Sequence, residues 1–222
     1  MTPESVSYSV YFDNQSQNPG AVCLYQKNPD ITDPTIMSLA WFSKRAHPST
    51  KIQFKWQIEY NFVWDQTGQL VPGVIFDATQ TWIADPETKN TVSLTHDADG
   101  YTFQNLAFSG KKGTLYINED GTIPAKDVSV GIGMSGFGTF VKQGQPNLHI
   151  NFTPHPEYWI AFGDYEQGQV LDIGSITDSA KIAFPASVYK MQATLQLDNK
   201  WKIDPIVGLK HVQGRELVLG AR

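Results

Sequence analysis

Three stretches of this chain alternate apolar and polar residues with a strict period of two. Val6, Tyr8, Val10 and Phe12 interleave with serines and Tyr11. Ile52, Phe54, Trp56, Ile58 and Tyr60 interleave with lysine, glutamine and glutamate. Tyr189, Met191, Ala193, Leu195 and Leu197 interleave with Lys190, Gln192, Thr194 and Gln196. Successive side chains of a strand point to opposite faces, so each stretch predicts a strand with one wet and one buried face. That arrangement belongs to antiparallel sheets. The second stretch is expected to supply the buried face of a central strand through Ile52, Phe54, Trp56 and Ile58.

Weaker strand patterns occupy residues 74–84, 91–95, 101–108, 113–118, 148–152 and 158–162. Turn chemistry separates them. Asp97-Ala-Asp-Gly100 and Asn118-Glu-Asp-Gly121 both end in Asp-Gly, which favours tight hairpins. Asn18-Pro-Gly20 and Gly144-Gln-Pro146 mark further turns. Helical patterning is confined to two short segments, Pro34 to about Lys44 and Thr177 to Lys181. The expected fold is all-β: a single-domain, jelly-roll-like antiparallel β-sandwich over residues 1–222, with at most one or two short helices. Residues 206–222 lose the alternation and are read as a C-terminal extension or arm.

A chain of 222 residues buries enough apolar surface to need no staple. Its one cysteine, Cys23, excludes an intrachain disulfide. The opening Met1-Thr-Pro-Glu-Ser5 lacks a basic segment followed by an apolar run, and no window approaches a membrane span. The expectation is a cytoplasmic protein, with export by a non-classical route left open. Net charge is −5 and the longest basic runs are Lys44-Arg45 and Lys111-Lys112, so a nucleic-acid footprint is missing. Aromatic residues are abundant, with 12 Phe, 9 Tyr and 6 Trp, and either fill a sandwich core or present rings on a binding face.

Few motifs carry chemistry. Gly131-Ile-Gly-Met-Ser-Gly136 matches the dinucleotide fingerprint in letters, but Phe137-Gly-Thr-Phe-Val141 follows as a strand where a helix is required. It is read as a glycine-rich strand or bulge where a neighbouring backbone packs close, and no nucleotide, metal or other cofactor is expected. Asp164, Glu166 and Asp172 lie in a loop-rich stretch without any pair standing out as a glycosidase dyad. His155 sits between two prolines with Glu157 two residues on. Trp64 and Trp159 lie near polar residues that suit sugar hydroxyls while the indoles stack on a sugar face. Trp64, Trp159, His155 and Glu157 are therefore the candidate ligand-binding residues.

Residues 37–44 (MSLAWFSK), 60–64 (YNFVW), 130–140 (VGIGMSGFGTF) and 152–159 (FTPHPEYW) together resemble the RhiA-type proteins, a rhizosphere-expressed, quorum-regulated group from soil bacteria. The resemblance spans roughly residues 5–200. It implies a bacterial protein made in the cytosol. That family has no established activity, so no site residue is carried over. The functional expectation is a non-catalytic protein acting by self-assembly, as a homo-oligomer or larger array, or by ligand binding. The alternatives are a carbohydrate-binding module and a hydrolase with an unrecognised site.

Overall fold

The computed structural model describes residues 6–28 and 32–207. Strands dominate; among the described residues the only helical element is a single 3₁₀ turn, Ile173–Ser175, capped by the Asp172 carboxylate. The all-β sandwich expected from the alternation is present. No helix among these residues is long and apolar enough to cross a membrane.

Three sheets build the molecule. The first runs β17 (Trp201–Pro205), β16 (Lys190–Leu195), β1 (Ser7–Asn14) and β4 (Lys51–Gln57). The second is long: β15 (Ser179–Ile182), β13 (Glu157–Gly163), β2 (Gly20–Lys27), β3 (Ile36–Ala46), β11 (Phe137–Gln143), β10 (Ser129–Met134), β5 (Tyr60–Asp65) and β6 (Gln80–Ile83), with β14 (Val170–Leu171) beside β3. The third runs β12 (His149–Phe152), β9 (Leu115–Glu119), β7 (Thr91–Asp97) and β8 (Gly100–Ala107). Pairing is antiparallel throughout except β1 with β16 and β7 with β9, which are parallel.

The two short sheets cover the two halves of the long one. Val10, Phe12, Phe54, Trp56 and Met191 of the first sheet pack on Val22, Leu24, Trp41, Met134 and Ile160. Leu94, Phe103, Ile117 and Ile150 of the third pack on Phe62, Trp64, Val130 and Phe140. Val63 and Val141 alternate with those residues and so point the other way, where Leu70, Val74, Phe76 and Val170 meet them. Cys23 and Tyr25 are likewise covered by Leu171, Ile173 and Tyr165. The central strands of the long sheet are thus buried on both faces.

The glycine-rich stretch is strand β10, and a bulge separates Ile132 from Gly133 against β11. A Cβ on Gly131 would lie 1.9 Å from the Phe140 carbonyl oxygen, and one on Gly133 2.1 Å from that of Phe137. Backbone approach, not a phosphate, explains these glycines.

Several expectations change. Pro34–Lys44 and Thr177–Lys181 are not helical: they hold β3 and β15. A strand apolar on both faces shows no period of two, and its leucine, methionine and alanine mimic a helix. The Asp97–Gly100 turn closes the β7–β8 hairpin as expected, but Asn118–Gly121 closes none. There β9 pairs with β12 and β7, and the chain leaves for another sheet. β4 is an edge strand of its sheet, not a central one. Its alternation holds at Phe54 and Trp56, each 2% exposed, whereas Ile58 falls beyond the strand and is exposed. Of the C-terminal arm expected at 206–222, residues 208–222 lie outside the described residues.

Trp56 sits among four rings, with centroids at 5.1 Å (Tyr158), 5.3 Å (Trp41), 5.8 Å (Phe184) and 6.0 Å (Tyr8). This cluster puts five of the chain's aromatic rings inside the core rather than on a solvent-facing surface. Trp56→Ala removes the centre of the cluster and should cost about 3–5 kcal/mol in a denaturant melt. A loss below about 1 kcal/mol would contradict this packing.

Candidate functional site

The four residues singled out from sequence do not form one site. Trp64 lies on β5, 6% exposed, with its indole N–H donated to Gln80 Oε1 at 2.8 Å. The same oxygen accepts the backbone N–H of Phe103 at 2.8 Å, so Gln80 and Trp64 tie the second sheet to the third. Trp159 lies on β13, with β2, β3, β11 and β10 between it and β5. At the usual strand spacing that is about 24 Å.

Trp159 and Glu157 do come together. Lys27 Nζ lies 3.8 Å above the Trp159 ring, and Tyr25 stacks on the indole at 6.5 Å. A cation over the ring's negative face is attractive, and it occupies the surface a sugar would stack on. Glu157 pairs with Lys181 at 2.5 Å. That hydrogen bond is the main reason its carboxyl is held below the ordinary range. His155 is exposed in the loop that precedes β13. Of the loop carboxylates, Asp164 pairs with Arg45 at 3.7 Å, and Asp172 accepts the Gly174 N–H.

Two other surfaces are better formed. The first is the wet face of the first sheet, where register lays two cross-strand rows. Asp204, Gln192, Tyr11 and Gln53 form one row. Lys202, Thr194, Asp13 and Lys51 form the other. The rows line a shallow cleft of about 500 Å³ in which Gln53 donates to the Tyr11 hydroxyl at 3.0 Å. The alternation of β1, β4 and β16 that buries Phe12 and Phe54 also dictates this polar face.

The second surface is a groove beside β6, an edge strand of the long sheet whose outer side no strand among the described residues pairs with. One end is a cleft of about 440 Å³ walled by Ile58, Tyr60, Ile83 and Pro86. It adjoins a second cleft through Thr81 and Gly136, with Phe137 and Asp77 beyond. Ile83 is 77% exposed, Ile58 47% and Phe137 44%. The wall is rigid. Ser135 and Gly136 turn β10 into β11 with positive φ. Ser135 Oγ donates to the Gln57 carbonyl at 2.8 Å, and Ser135 N–H to that of Glu59 at 2.9 Å. Asn61 beneath it is 3% exposed; its Oδ1 accepts the Gly136 N–H at 3.0 Å, while its Nδ2 has no hydrogen-bond partner among the described residues. Sequence reasoning placed Ile58 in the core because it continues an alternation that the strand itself does not. Nothing in the pattern of residues 80–83 marked a sheet edge.

One buried carboxyl escaped the sequence reading. Glu119, at the end of β9, is 2% exposed; its Oε2 accepts the Gln145 N–H at 2.9 Å and its Oε1 has no partner among the described residues. Burial pushes it up to about 7, against an ordinary 4.5. Because the folded state holds the proton more tightly, this group's stabilising contribution is complete below the unfolded value and is lost as pH rises through about 7. Glu119→Gln should therefore be more stable than the parent at pH 8, by roughly 3 kcal/mol. The gap should shrink as pH falls below about 7 and close below 4.5, and a gap that does not change with pH would exclude Glu119 as its source.

Comparison with known proteins gives a consistent answer. The family model described as RhiA matches residues 5–205. Protein RhiA of Rhizobium leguminosarum bv. viciae is 40% identical over 205 residues, covering 91% of this chain and 88% of that protein. No solved structure gives a significant match.

Proposed function

The chain belongs to the RhiA family, and from there we propose that it acts by binding rather than by chemistry, with the groove beside β6 as its seat. The observation that carries this reading is the set of solvent-exposed apolar side chains on a rigid, concave wall. Isolated exposed apolar residues are ordinary, but Ile58, Ile83 and Phe137 gather at adjoining clefts, and grouped apolar exposure marks an interaction site. A neutral apolar dye, Nile red, should bind saturably and light up. Ile83→Lys should cut that signal several-fold without changing the melting temperature, since a side chain 77% exposed contributes little to folding. Full signal in the variant would rule the groove out.

A second reading, carbohydrate binding, is favoured by the two polar rows on the first sheet. Tyr11 offers a ring face, and Gln53, Gln192, Asp13 and Asp204 offer donors and acceptors around it. Soluble oligosaccharides of glucose, galactose or mannose should then raise the melting temperature of the parent but not of Tyr11→Ala. No shift with any of them would remove this reading.

A further inference from the structure

We infer that the groove beside β6 takes an extended polypeptide segment carrying apolar and basic side chains, which adds as a strand to the β6 edge. This rests on the groove being a binding seat. Three independent features point to a strand.

The first is the edge itself. Ala84 N–H donates to the Tyr60 carbonyl at 2.9 Å, so residues 80, 82 and 84 use their backbone groups on β5. By antiparallel alternation the N–H and C=O of Thr81 and Ile83 face outward. Both residues are exposed, and no strand among the described residues pairs with that side of β6. An open ladder is a template for another chain.

The second is the alternation of pockets that an added strand needs. Its side chains on one side would meet the apolar wall of Ile58, Tyr60, Ile83 and Pro86.

The third is charge. Glu59 and Asp85 line one cleft and Asp77 the other, and no lysine or arginine lines either. Hydrogen bonds from Thr88 and Glu87 hold Asp85 below the ordinary carboxylate range, so it stays ionised, and the charge of Lys89 adds to this. An acidic rim around an apolar floor selects lysine- or arginine-bearing segments and repels acidic ones.

The test uses the full chain and a fluorescein-labelled peptide of alternating lysine and valine, read by anisotropy at low salt. Saturable binding is expected, weakened by added salt, with no binding of the matching glutamate–valine peptide. Ile83→Lys and Thr81→Pro should each weaken it by about tenfold or more. Thr81→Pro removes an outward N–H and leaves the β5 ladder intact; melting temperatures confirm that both variants fold. The inference is overturned if the lysine–valine peptide does not bind, if both variants bind it as the parent does, or if the acidic peptide binds as well. It is also overturned if light scattering shows a dimer that Ile83→Lys dissolves, since the groove then holds a second copy. Nile red bound in an Ile83-dependent way, with the peptide failing, would leave the groove standing as a seat and remove only its assigned occupant.

Discussion

One constraint governs this molecule: the central strands of its longest sheet have no wet face. All six residues of β10 are buried, as are the inner residues of β2 and β5. Such a sheet must satisfy its backbone almost wholly within itself and must pack side chains both ways. The glycines of β10 belong to this constraint. At Gly131 and Gly133 the neighbouring carbonyls come where a Cβ would stand, so side-chain-free positions let β10 and β11 close up around their bulge. The two short sheets then roof the two halves, and loop residues such as Phe76 and Tyr165 floor them.

The same constraint decides what was readable. The strands that announced themselves, β1, β4 and β16, are those of the short first sheet, where Phe12, Phe54 and Met191 turn inward and Tyr11, Gln53 and Gln192 turn out. β3 of the long sheet carries Leu39, Ala40 and Trp41 in succession, all buried. A continuous apolar run has no period to detect, which is why it read as a helix. The all-β class was legible, but the order of strands was not. Parallel pairing of β1 with β16 joins segments from the two ends of the chain, and no local signal encodes it.

The site was less legible still. Trp64 attracted notice as an aromatic residue near polar ones, yet those polar neighbours serve the fold: Gln80 is spent on the Trp64 indole and the Phe103 backbone. Trp159 is where an aromatic site was expected, but Lys27 caps its ring. The groove depends on which sheet edge is left uncovered, a property of tertiary assembly. The long sheet's two edges differ. β15 carries Lys181, paired with Glu157, and an edge lysine discourages further pairing. β6 carries Thr81 and Ile83 on its exposed positions and has no such guard.

The parallel partnership of β1 and β16 also has a cost during synthesis. β1 meets β4 early, but its other edge waits for a strand made near the far end of the chain. At about 5–20 residues per second, translation from the end of β4 to the end of β16 leaves that edge open for roughly 7–30 seconds. Throughout that interval Val10 and Phe12, later fully enclosed, lie on a two-stranded β1–β4 ladder without its third strand. Each ribosome on a crowded message would display the same unfinished ladder, so the period before β16 emerges is when neighbouring nascent chains are most prone to join one another.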